Sequence, residues 1–490
     1  MTRANFFRPH LQFLPRDFIE RILDEAFDIL ATAGIQFENP AVLKIFAEHG
    51  LRVDEEKKLV YFSRDAVEKA LQTAPKTFSL FEVNGERART VGGDEVTYDP
   101  GSAALKVLDA KTGKMRHALS EDYAQLSRLV EHLDHVKAHS TALVPSDVPV
   151  EISDSYRLYL ALTHCPKPLI TGIFQISSQQ PMLEMLRIVR GGSQALRDKP
   201  LAIFDCCPSS PLRWSDLTSH SLIECAKAGV PAEIVTVPLA GATSPITLSG
   251  SVVQHAVETL AGLTLAQMVN PGAPVVFGGA ASIMDMKTAT TPFGSIESTM
   301  LTLAYVDVAK YLGLPTHAYL GLSDSKTLDL QAGYETYQGI LFAALAGINI
   351  VSGVGILDYI ACHSFEKLVI DNELCGMAYR MMQGLAERDR PMAKTIIAES
   401  RELGYFLEHP TTKQYFRDEQ FFPAQVVDRT SMQMVDAEEP PARDWERAAK
   451  TVETLLAQPG FEIDAGLKSE LLKIMRSEAK KWGMEKLPIV

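Results

Sequence analysis

Ile19, Ile22, Ala26 and Leu30 recur on one helical face and Gly34 follows as a stop, so the spacing predicts a helix within the first 37 residues. Between residues 59 and 119 the pattern shortens to β-type runs broken by the turn signals Asn84-Gly85, Gly92-Gly93 and Thr112-Gly113. From about residue 136 short apolar runs alternate with longer helical stretches. The predicted strands are AHSTALV (138–144), PLITGIF (168–174), PLAIFDC (200–206), AEIVTV (232–237), PVVFGG (274–279), PTHAYLG (315–321) and INIVSG (348–353). Helices are expected between them, among them 181–190, 249–269 and 296–313.

Strands joined by crossover helices imply a mostly parallel sheet, and strands apolar throughout imply that both faces are covered. Seven such repeats in roughly 260 residues suit a (β/α)8 TIM barrel better than an open doubly wound sheet, and no GxGxxG follows an early strand. The expected organisation is an N-terminal α+β cap over 1–135, a barrel over 136–405 and a C-terminal helical extension over 406–490. The extension contains a charged linker, VDAEEPPARDWE (435–446), and an amphipathic candidate helix, LKSELLKIMRSEAKKW.

Composition adds limits to this picture. The 490 residues are 46% hydrophobic and 22% charged, as in an ordinary globular protein, and the net charge of −13 argues against nucleic acid as a partner. The N-terminal residues carry charges and prolines where a signal core would sit, and no uncharged run is long enough to span a bilayer. A soluble, cytoplasmic protein is expected. Cys165, Cys206, Cys207, Cys225, Cys362 and Cys375 form no CxxC pair and read as free thiols, with Cys206 and Cys207 packed.

In a barrel the side chains at the strand ends line one mouth. These ends offer Pro145 to Asp147, Phe174-Gln175, Asp205, PLAGATSP (238–245), GGAASIMD (278–285), GLSDSK (321–326) and SGVGILDY (352–359). Their small residues admit a flat, bulky ligand or another protein. Phe174, Phe277, Phe293, Tyr319, Tyr334, Tyr359 and Phe365 cluster around them, and aromatic faces bind quaternary ammonium groups. His317 and His363 are candidates for proton handling. His132, His135 and His139 straddle a helix-to-strand transition and are not expected to bind one metal. Lys326 lies between Asp324 and Asp329, which favour its ammonium form, so an ion pair is expected rather than a Schiff-base nucleophile.

PLAGATSPITLSGSVVQHAVETLAG (238–262), YLGLPTHAYLGLSDSKTLDLQAGYE (311–335), SFEKLVIDNE (364–373) and TYDPGSAALKVLDAKTGKMRHAL (97–119) together resemble the trimethylamine methyltransferase superfamily. The resemblance implies a (β/α)8 barrel that moves a methyl group from an amine to the cobalt of a corrinoid (cobalamin) on a separate protein. The trimethylamine enzymes carry pyrrolysine, and this chain does not. That points to the branch acting on quaternary amines, among them glycine betaine, proline betaine, carnitine and γ-butyrobetaine. Some relatives carry an arginine near the position of His317, so carboxylate binding would be rebuilt here. On this resemblance His317 and Asp324 are the expected catalytic residues, and Tyr98, Phe174, Tyr319, Tyr334, Tyr359 and Phe365 the substrate contacts. The corrinoid face is expected against Gly241, Gly278, Gly279, Ser323, Lys326, Gln331, Ser352 and Gly353. A cognate corrinoid protein, a small quaternary amine and a homo-oligomeric state are the implied partners, with no resident metal. The competing readings are a non-catalytic amine-binding protein and a Schiff-base lyase using Lys326.

Overall fold

The computed structural model describes residues 5–101, 103–401, 404–434 and 441–490. Eight short strands share one parallel arrangement: β1 (Thr97–Asp99), β2 (His139–Ser140), β3 (Leu169–Gly172), β4 (Ala202–Cys206), β5 (Ala232–Thr236), β6 (Val275–Gly279), β7 (His317–Tyr319) and β8 (Ile350–Ser352). Parallel ladders join β2 through β6 in order and join β7 to β8 and β8 to β1. The bridges Phe277↔Thr316 and Tyr98↔Val136 link the two groups at both ends, so the pairings return to their start as a ring.

All seven expected strands are present. The eighth, β1, comes from the stretch assigned above to the cap, so the ring begins before residue 136. Three residues, two of them Thr and Asp, offer no apolar run to detect, and the strand is held by its pairing with β8. Each strand is followed by a helix: α1 (Ser120–Glu131), α2 (Val150–His164), α3 (Gln179–Arg190), α4 (Asp216–Ala228), α5 (Leu248–Val269), α6 (Ile296–Tyr311), α7 (Leu330–Leu345) and α8 (Phe365–Gln383).

The N-terminal elements lie on the outside of the ring. Helix Arg16–Thr32 packs on α5, and strand Ile35–Phe37 pairs with Arg213–Trp214, where the Phe37 and Trp214 rings stack at 6.2 Å. Gly262 in α5 permits this approach, since a Cβ there would lie 2.3 Å from the Trp214 ring. The hairpin Thr77–Phe81/Ala88–Gly92 turns at Asn84-Gly85 as its sequence signals, and its Leu80 and Val91 close one end of the ring. They pack on Ile170, Ile203, Val276 and Ile350, one from each of β3, β4, β6 and β8. At the C-terminus, helix Asp444–Leu456 packs on α8 and α1, and helix Ala465–Lys481 on α2 and α3. Residues 435–440 of the expected linker lie outside the described residues, and its last three residues open the first of these helices. No described helix is long and apolar enough to cross a membrane.

Candidate functional site

Side chains alternate faces along a strand, so the residue two positions beyond each inward apolar residue also points inward. Above the layer of Ile170, Ile203, Val276 and Ile350 this rule places Gly172, Asp205, Gly278 and Ser352. Asp205 and Glu233 are register partners on β4 and β5. Gly278 leaves the wall of β6 open, because a Cβ there would lie 2.8 Å from His317 Nδ1. The imidazole fills that gap, and its Nε2 comes within 3.5 Å of Glu233 Oε1 on β5.

A polar chain results. Ser352 Oγ donates to Asp99 Oδ2 at 2.8 Å and shares a 3.1 Å hydrogen bond with His317 Nε2, while Asp99 Oδ1 accepts from Gly101 N at 2.7 Å. Asp99, Glu233, His317 and Ser352 are fully buried. Burial disfavours charge, and the protonation states follow from it. Asp99 is raised to about 7 by burial, against its hydrogen bonds from Ser352 and Gly101. Glu233 is raised well above the usual carboxylate range by burial, and by Asp205 and Asp99. Burial lowers His317 to about 3, so its imidazole is neutral.

An apolar collar stands over this tier, formed by Val235, Ala280, Tyr319, Leu322 and Ile356, with the Tyr319 ring edge-on to His317 at 5.2 Å. Cys207, expected to pack, is exposed just past the end of β4. Its thiol lies near the carboxyls of Asp205 and Glu233.

Of the expected site residues, His317, Ser352, Tyr319 and Gly278 converge on this interior. Tyr98 does not: its hydroxyl donates to Ile340 O in α7 and its ring packs on Tyr379 of α8, so it belongs to the helix layer. Gly279 also faces outward, where a Cβ would meet His255 Nε2 at 2.4 Å, and serves strand-to-helix packing. Phe365 packs into the main core at the start of α8. Phe174 and Tyr334 are exposed, Phe174 beneath the Arg157 guanidinium at 5.2 Å. Gly241 is exposed in the loop after β5, and Gly353 follows β8 with φ +117° and donates to Asp99 O at 3.0 Å.

The polar run GLSDSKTLDLQAGYE largely bonds to itself and to its neighbour loop. Asp324 accepts from Phe293 N at 3.1 Å and Gly294 N at 2.8 Å, and burial raises it to about 6. Glu335 accepts from Ser323 Oγ at 2.6 Å, Asp324 N at 2.9 Å and Gln331 Nε2 at 2.9 Å. Asp329 caps α7 through Ala332 N at 2.9 Å. Asp324, Ser323 and Gln331 are thus engaged in holding the loops after β6 and β7 together. Lys326 is exposed, donates to the Asp324 main-chain oxygen at 2.7 Å and lies 4.1 Å over the Tyr359 ring, instead of forming the expected carboxylate pair. Tyr359 sits between Asp358 and Ile360 in three successive left-handed residues, φ 52°, 53° and 74°. Such a conformation costs about 1–2 kcal/mol per residue and is borne only where the surroundings enforce it.

The three histidines of EHLDHVKAH point apart, with His139 against Ser127 and Tyr123 and His135 against Tyr379 and Phe421. His363 is buried behind Gly355, away from the polar chain. Sequence reasoning missed Glu233 and Asp99. For Glu233 the available signal was a carboxylate inside the otherwise largely apolar strand Ala232–Thr236, which is costly unless the site uses it; Asp99 lies in a strand with no such run and carried none.

The chain matches the family model of trimethylamine methyltransferase (MTTB) over residues 4–481. It is 29% identical over 476 residues to a glycine betaine methyltransferase of Desulfitobacterium hafniense (strain Y51), covering 93% of this chain and 98% of that protein. It is 30% identical over 436 residues to the trimethylamine methyltransferase MttB of Desulfitobacterium hafniense (strain DSM 10664 / DCB-2), covering 88% of this chain and 87% of that one. In fold it is similar to the crystal structure of the Methanosarcina barkeri monomethylamine methyltransferase (MtmB), with TM-score 0.52 and 9% identity over 96% of this chain and 89% of that one.

Proposed function

Because the chain belongs to the trimethylamine methyltransferase family, we propose that its ring is a (β/α)8 barrel which moves a methyl group from a quaternary amine to a corrinoid carried by a partner protein. The observation that carries this reading is the polar chain Asp99–Ser352–His317–Glu233 buried beneath an apolar collar at the strand ends. A quaternary nitrogen leaves as a neutral tertiary amine, so the protein need supply no acid to the leaving group. Its task is alignment in a dry site, worth up to several kcal/mol of barrier. The neutral His317, held by Ser352 over the gap at Gly278, orients the substrate from below, and Tyr319 flanks its methyl groups. A weak cage serves better than a strong one, because charge on nitrogen fades toward the transition state.

The mouth suits a flat group brought by another protein. Phe174, Ile246, Met286, Leu330 and Tyr334 stand exposed on the loops and helix starts around it, an apolar rim of the kind that marks docking surfaces. Phe174, Tyr334, Tyr359, Lys326 and Gly241 would meet the partner or the corrinoid edge there. The corrinoid, when bound, supplies the cobalt nucleophile that takes the methyl group. The exposed Lys326 lacks the desolvation that a Schiff-base lysine requires, which weakens the lyase reading.

An anaerobic assay with reduced cobalamin, supplied in turn with glycine betaine, proline betaine, carnitine, γ-butyrobetaine, choline and trimethylamine, tests the proposal. Methylcobalamin absorbance is expected with a quaternary amine. Saturable amine binding without methyl transfer to either free cobalamin or a corrinoid protein would favour a binding protein instead.

A further inference from the structure

The buried tier is acidic, and its cations are elsewhere. Among the described residues no lysine or arginine pairs with Asp99 or Glu233, and neither Glu233 oxygen has an N–H donor within hydrogen-bonding geometry. Buried Arg157 is spent on Asp154 at 2.9 Å and on Thr141 O. Buried Lys367 is likewise spent on Asp371 at 2.6 Å and Thr336. The described residues include no cluster of three or more His, Cys, Asp or Glu arranged to hold a metal ion. A carboxylate brought into this space would face the carboxyls of Asp99 and Glu233 across a neutral imidazole. An ammonium would meet the Glu233 oxygens, which no N–H satisfies, below it and an aromatic ring beside it.

Resting on the function proposed above, we infer that the site selects a quaternary ammonium with no carboxylate of its own, of the tetraalkylammonium or choline kind. The substrate then supplies the positive charge that the tier lacks. This departs from what the likeness to a glycine betaine enzyme suggests.

A proton linkage follows. The titratable groups facing the space are Asp99 from β1, Asp205 and Cys207 at β4, Glu233 from β5, and His317 and Tyr319 from β7. The other strands present Gly172, Gly278 and Ser352, and His139 of β2 turns outward to Ser127. Carboxyls that hold protons in the empty site lose them beside a permanent cation. Binding therefore releases protons and tightens as pH rises. A carboxylate ligand requires the reverse, since it is accepted only by protonated acids.

Isothermal titration of the full chain with tetramethylammonium, choline and glycine betaine, in phosphate and in Tris between about pH 6 and pH 8, tests this. Tetramethylammonium or choline is expected to bind at least about tenfold more tightly than glycine betaine, with affinity gaining up to about tenfold per pH unit for each proton released. The heat should differ between the buffers with the sign of proton release. Glu233→Gln and Asp99→Asn, both close in shape, should each reduce the released protons. The wild-type buffer comparison stands even if a variant fails to fold. Glycine betaine binding as tightly as choline, or tetramethylammonium or choline binding with proton uptake, would overturn the inference. The outcomes separate from those of the proposed function: choline bound with proton release but never demethylated sinks the methyl transfer alone, whereas glycine betaine bound preferentially and demethylated sinks the specificity alone.

Discussion

Asp99 carries a cost that its position makes measurable. Its carboxyl rises from an ordinary 3.8 to about 7, chiefly through burial. The folded state thus holds the proton more tightly than the unfolded chain does. The stabilising contribution is complete below about pH 4 and is lost as pH climbs through about 7. Asp99→Asn removes this titration while keeping the side-chain shape. Thermal denaturation should show the variant gaining on the wild type steadily between those pH values. A constant offset would mean that Asp99 does not hold a proton in the fold. Glu233, also raised by burial, contributes in the same direction, and Gly278 shows how a missing side chain on one strand sets the reach of a histidine on the next.

Among the elements, α7 answers why a loop should concentrate so many polar residues. Asp329 accepts from Ala332 N and from Ser325 Oγ, and Glu335, one turn into the helix, draws Ser323 and Asp324 onto it. Asp324 reaches across to the loop after β6. The polarity builds a fixed strand-to-helix junction, and the groups left over for a ligand are few, Lys326 foremost. Asp329→Ala should cost about 0.5–2 kcal/mol of stability, as for other N-cap deletions, read from urea unfolding. This segment was legible as a strand end, and the helix that follows it emerged from the structure. Its residues were assigned to ligand contact because a list of polar side chains does not say which of them satisfy one another.

For the molecule as a whole, the interior is layered: an apolar plug, a polar tier and an apolar collar. The plug depends on a hairpin outside the ring's own strands, so the lower wall of the site is anchored by residues 77–92. Leu80→Ala should destabilise the fold by about 2–5 kcal/mol, measured as a fall in melting temperature, because it opens a cavity where four strands converge. The plug also keeps water from reaching the tier from below, which maintains the low dielectric that holds Asp99 and Glu233 protonated.

The amino-acid sequence by itself determined the alternation of strand and helix, seven strands in their positions, the hairpin at Asn84-Gly85, the family, and the placing of His317 and Ser352 at a strand end. Those features are local: they depend on periodicity, turn chemistry and short motifs that each segment carries alone. Only the tertiary structure decided that Thr97–Asp99 is a strand, that Tyr98 and Gly279 face the helices, and that Asp99, Asp205 and Glu233 meet. A strand's inward face is set by its register with its neighbours, and a shift of one residue exchanges the two faces. For strands of two to five residues covered on both sides, no local pattern distinguishes those faces. The acidic interior is therefore a property of ring closure, in which carboxylates distant along the chain share one buried space.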